Sequence, residues 1–343
     1  MIPKTINGKT YRLPGSLTTF QKEMYVHLIN YKWDVLDIKE PGEYKYKGQD
    51  IEYDAILPEA VRKKYPLIYP GIIKRLLDHR KSNHFKLHLH FNHMASSQAA
   101  NVNLFLPVLL HPDADQILKQ LKPDFNRLAK DQLDKGFRIE YWGEKEEKGL
   151  LGDHNALSGT DSDIAIAYYN NANELCLWLL EHKLTEKEFT TCGGHKSKDR
   201  DKTRHRCEQS FSEILGNQEL CFYHDFKKNE YWNITKGNQS VFVNHKKHDS
   251  CPFKGGMNQL WRNQLLGLAL EKEGPYQHVH FSVVHHPGNQ ALTNTIDQYR
   301  DLINHDHRFS VFTSKVIVDI VKGQNDPELT KWADWYCGLY NIK

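Results

Sequence analysis

The chain has 343 residues, of which 39% are hydrophobic and 26% charged, with a formal net charge of +3. That length supports one large domain or two modest ones, and no apolar run is long enough to cross a bilayer. MIPKTINGKTYRLPG carries no signal-peptide pattern, so a cytoplasmic protein with reduced thiols is expected, and so small a net charge argues for nucleic-acid binding only if it is concentrated in a patch.

Residues 1–95 read as a lead-in of short apolar pieces with Gly-Pro punctuation, containing a helix near Thr19 to Tyr31 and a short helix after Pro70. HFKLHLHFNH holds His84, His88, His90 and His93. On a strand His88 and His90 share a face, a spacing that can bind zinc, but no H-E-x-x-H motif accompanies them. In SSQAANVNLFLPVLL a buried helix opens near Ser96. The segment 113–133 reads as an amphipathic helix interrupted by Pro123, and GFRIEYW as a strand.

SDIAIAYYNNANELCLWLLEHK then reads as an apolar β-hairpin around an Asn-rich turn. Ionised side chains rarely stay in a core unless something pairs them, yet this hairpin has Asp163 at its start and Glu181 and Lys183 at its far end. With period two, Glu181 and Lys183 share a face about 7 Å apart, and hairpin pairing brings Asp163 toward Glu181. Two carboxylates can hold a hard divalent cation such as Mg²⁺, and a lysine can steady charge developing on an attacked phosphodiester. The acid-x-Lys pattern recurs at Asp37, Glu43, Glu146 and Asp225, so the strand context singles out this copy; the bland alternative is a structural Glu-Lys pair at a strand end.

Cys192, Cys207, Cys221 and Cys251 follow at spacings of 15, 14 and 30, without a C-x-x-C pair. They can ligate zinc or an iron-sulfur cluster only if the fold gathers them, whereas Cys176 and Cys337 read as small buried residues. Between the first two lies GGHKSKDRDKTRHR, where Lys196, Lys198, Arg200, Lys202, Arg204 and Arg206 outweigh Asp199 and Asp201 for a net +4. It is either a phosphate-tracking loop or a solvated charged one. GMNQLWRNQLLGLALEKEG reads as a helix ended by Gly274, HVHFSVVHH as a strand, and one or two helices fill 293–340, which gives a mixed α/β core.

GTDSDIAIAYYNNANELCLWLLEHKLTEKEF resembles the core of the PD-(D/E)XK nuclease superfamily, with Asp163 as the first acid and Glu181-His182-Lys183 as the E-x-K element, although no Pro precedes the Asp. The wider layout, SSQAANVNLFLPVLL upstream and NQLWRNQLLGLAL downstream of a cysteine-bearing insert, resembles a bacterial restriction-endonuclease-like branch over roughly residues 96–285. The resemblance implies a nuclease core at 96–343 with a cysteine and basic insert at 192–251, built on a four-stranded mixed sheet flanked by helices. It implies Mg²⁺ or Mn²⁺ on Asp163 and Glu181, with Lys183 assisting the attacking water. DNA is the implied substrate, in restriction and defence or in repair. A further glutamate (Glu140, Glu144 or Glu146) and a helix glutamine (Gln259 or Gln264) are the supporting residues it implies. The rival readings are a non-catalytic nucleic-acid-binding module with a structural metal site and a cysteine-metal redox protein.

Overall fold

The computed structural model describes every residue except Met1, Lys47, Leu89, 144–146, 156–157 and 197–206. The lead-in holds more structure than the two expected helices. β1 (Ile2–Ile6) and β2 (Lys9–Leu13) form an antiparallel hairpin whose turn residues Asn7 and Gly8 both have positive φ, and β3 (Gly42–Tyr46) with β4 (Gln49–Tyr53) forms a second. Between them α1 (Thr19–Asp34) starts with a capping box in which Thr18 and Gln21 satisfy each other's backbone amides. α2 (Ile73–Asn83) follows Pro70, and α3 (Ser97–Leu109) is capped by Ser96, whose hydroxyl accepts from the Ala99 amide. His88 and His90 do not lie on a strand: their segment is irregular, so the shared-face spacing does not apply.

α4 (Ala114–Leu121) ends before Pro123, and the chain continues as strand β5 (Phe125–Leu128) rather than as a second half of the helix. β6 (Phe137–Tyr141), β7 (Ser162–Asn170) and β8 (Leu175–Lys183) come next. After the cysteine-bearing insert come α5 (Met257–Glu273), β9 (His278–His285), α6 (Thr293–Leu302), β10 (Phe309–Thr313), α7 (Ser314–Lys322) and α8 (Pro327–Tyr340). The C-terminal region thus holds three helices and a strand, not one or two helices.

The central sheet is mixed and six-stranded, two strands more than the resemblance implies. Its order is β10-β9-β8-β7-β5, with β6 also on β7. β6 takes the first half of β7 and β5 the second, both antiparallel. The β7–β8 hairpin is antiparallel, whereas β8–β9 and β9–β10 are parallel. A parallel pair needs a long crossover, and the insert plus α5 supplies it between β8 and β9. The fold class is therefore the expected one, an α/β sheet core flanked by helices.

Each face of the sheet has its own buried cluster. Ile164, Ile166, Trp178 and Leu180 pack with α1, α3, α7 and α8, so residues of the lead-in such as Met24, Leu28 and Leu76 belong to the same core as the central strands. Ala165, Ala167, Leu177 and Leu179 pack on the other face with α5, α6 and the insert. The alternation along β7 and β8 feeds two cores, which is why both strands read as apolar throughout.

Candidate active site

The strand register assembles the acids. Ile164 pairs with Leu180, so one step further places Asp163 opposite Glu181. On the other side Ile139 pairs with Ile164 and Tyr141 with Ser162, which places Glu140 opposite Asp163. Three neighbouring strands therefore contribute one row of carboxylates. Glu140 has φ 53°, in the left-handed region that a glutamate occupies only under constraint. Consistent with that break, Ile139 packs into one core cluster and Tyr141 into the other, although residues two apart on a regular strand share a face.

Lys183 Nζ stands 2.9 Å from Glu181 Oε1, and both side chains are buried. Glu181 is held further by α5: Gln259 Nε2 donates to Oε1 and Asn263 Nδ2 to Oε2, each at 2.8 Å. Asp163 Oδ2 accepts the His182 amide at 2.6 Å, and Asn101 of α3 donates to the Asp163 carbonyl at 3.1 Å. Gln98 of α3 donates to Glu140 Oε1 at 2.8 Å. Asp163 and Glu140 retain some exposed surface, so the row is reachable from solvent at this end of the sheet.

The electrostatics follow from this crowding. Burial, reinforced by Glu181 and Glu140, raises the Asp163 carboxyl well above the usual carboxylate range, against the pull of Lys183 and the His182 amide. Burial also pushes Glu140 up to about 8; the Gln98 hydrogen bond opposes the rise, while Asp161 and Glu181 add to it. For Lys183, burial favours the neutral amine but is outweighed by Glu181, Glu186 and Asp163, so it is held as an ammonium. His182, between the two catalytic candidates in sequence, faces away with both ring nitrogens buried and unpartnered; burial pushes it down to about 3.

Among the described residues, no three His, Cys, Asp or Glu side chains are already gathered as a metal-holding group. The acids are instead turned onto protein donors: Glu181 onto Lys183, Gln259 and Asn263, and Asp163 onto a backbone amide. The donor set still suits a hard divalent cation, because carboxylates that raise one another's pKa are relieved by two positive charges among them.

Of the sequence candidates, Asp163, Glu181, Lys183, Glu140 and Gln259 come together. Gln264 does not join them; it is buried with neither amide atom bonded. Glu144, Glu146, Lys198, Arg200, Lys202, Arg204 and Arg206 lie outside the described residues, while Lys196 ends a short helix at Gly193–Lys196. Sequence reasoning missed Gln98 and Asn263. Asn263 was findable, because it stands four residues after Gln259 and so on the same helix face. Gln98 had no signal beyond being a polar residue in a buried helix.

The four insert cysteines lie in two adjacent pairs: the Cys251 amide donates to the Cys207 carbonyl at 3.2 Å, and the segments that follow Cys192 and Cys221 pack against each other. None of the six cysteines forms a disulfide. A polar group joins the insert to α5: Tyr231 donates to Asp153 Oδ2 at 2.6 Å, and Arg262 of α5 lies 3.9 Å from the same carboxylate oxygen.

A family model described as "Restriction Endonuclease associating with ARP" matches residues 29–340. No curated protein and no solved structure gives a significant match.

Proposed function

The chain belongs to this restriction-endonuclease family, and from that premise we propose that it is a metal-dependent deoxyribonuclease of the PD-(D/E)XK type, with its active site at the row Glu140, Asp163 and Glu181 beside Lys183. The observation that carries the reading is the register: one acid from each of three adjacent strands, with a lysine two residues beyond the last.

Asp163 and Glu181 would hold Mg²⁺ or Mn²⁺, with Glu140 beside them. When bound, the ion would supply an activated water and a Lewis acid for the phosphate. Lys183, kept cationic by its carboxylate neighbours, stabilises the charge that develops on the attacked phosphodiester and orients the water. Gln259 and Asn263 fix the Glu181 carboxylate, and Gln98 fixes Glu140. The basic run from Lys196 to Arg206 adds phosphate contacts that hold DNA without reading its sequence. The same chemistry serves restriction and defence or repair in the cytoplasm.

The test is incubation of the purified protein with linear, circular and single-stranded DNA and with RNA, in Mg²⁺, Mn²⁺ or EDTA. Metal-dependent DNA cleavage that EDTA abolishes supports the reading. Salt-sensitive DNA binding without cleavage in either metal would favour a binding module instead.

A further inference from the structure

We propose that Cys192, Cys207, Cys221 and Cys251 bind one zinc ion as a tetrathiolate site that staples the insert between β8 and α5. This goes beyond the nuclease reading and stands on different residues.

The four cysteines fall in two adjacent pairs. The Cys251 amide donates to the Cys207 carbonyl at 3.2 Å, so these two backbones are adjacent. The segment after Cys192 lies against the segment after Cys221 so closely that a Cβ on Gly194 would come within 3.1 Å of Phe222, and one on Gly193 within 2.9 Å of the Tyr223 hydroxyl. Cys192, Cys207 and Cys251 are buried, and Cys221 is largely covered.

The local backbone is shaped for sulfur. The His195 amide donates to Cys192 Sγ at 3.3 Å. At this cysteine, then, an amide three residues downstream is aimed at the sulfur. A neutral thiol is a weak acceptor and makes little use of such donors, whereas a thiolate uses them fully. Thiolates this close need a cation among them, and Phe211, Trp232 and Phe253 give the insert a dry aromatic interior in which it would sit.

Zinc fits because closed structural zinc sites are tetrahedral and accept four thiolates. Among the described residues the four thiols do not already surround a common centre, so the site would close on the ion.

The test is metal analysis of the full-length protein purified without chelator, combined with titration of its thiols by a mercurial reagent under native conditions. The proposal expects about one zinc per chain, no visible absorption, and zinc release that tracks the reaction of four thiols. Cys251→Ser should lose the zinc, and Cys337→Ser should keep it. Because Cys251→Ser can misfold, the wild-type titration stands as the independent arm. Zinc-free protein, four freely reacting thiols in the native chain, or iron with visible absorption would each overturn the proposal, and none of these readouts depends on DNA cleavage.

Discussion

At the scale of single residues, the proposed site separates charge that the chemistry would need from charge that folding needs. Asp163 is a carboxyl kept against burial and two neighbouring acids. Asp163→Asn removes that repulsion while keeping shape, so cleavage should fall at least about 100-fold with a melting temperature no lower than wild type. Lys183 behaves differently, because Glu181 is buried with it at 2.9 Å. Lys183→Ala leaves a buried carboxylate without its cation, so we expect loss of about 3–5 kcal/mol of stability together with loss of cleavage. Denaturant melts of the two variants check this, and an unchanged midpoint for Lys183→Ala would contradict it. That Asp163, Glu181 and Lys183 come together was legible in the sequence, because ionised residues at the ends of an apolar hairpin demand partners. Gln98 was not legible, since nothing local marks which buried amide will meet Glu140 across 42 positions.

At the scale of elements, α5 presents Gln259 and Asn263 one turn apart to the two oxygens of Glu181. Gln259→Leu and Asn263→Leu should each lower metal affinity and cleavage about 10- to 100-fold without unfolding the helix, as titration of Mn²⁺ by calorimetry would show. β6 carries its acid on a left-handed residue. Glu140→Gly relieves that conformation but removes the carboxyl, so it should leave stability within about 1 kcal/mol of wild type while reducing cleavage at least about tenfold. Helix starts were readable where capping residues stood, at Thr18 and Ser96. The hairpin around Asn7-Gly8 carried a readable turn signal that an assignment as lead-in passed over. The strands β5 and β10 were not readable, because each is specified by pairing with its neighbours rather than by its own local pattern.

At the scale of the whole molecule, the sheet uses one face to bind the lead-in, α7 and α8 and the other to bind α5, α6 and the insert, and the acid row lies at an end where both layers reach it through Gln98 and Gln259. The layering also sets the pH response. Burial pushes His93 and His182 down to about 3 and His286 to about 4, whereas the unfolded chain binds protons on them near 6.5. Stability from these groups is present above about 6.5 and is lost as pH falls toward about 4. Glu140 and Asp163 have the opposite sign: their native forms hold protons that the unfolded chain releases, so stability falls as pH rises toward about 8. Without added divalent salt, the melting temperature should peak near pH 6.5, and Mg²⁺ should lift it most on the alkaline side; a steady rise to pH 8.5 without metal would contradict this. The most direct measurement of the central claim is plasmid cleavage in Mg²⁺ by wild type and by folded Asp163→Asn protein, side by side. The account predicts cutting by the first and none by the second; equal cutting by both would remove the acid row from the chemistry.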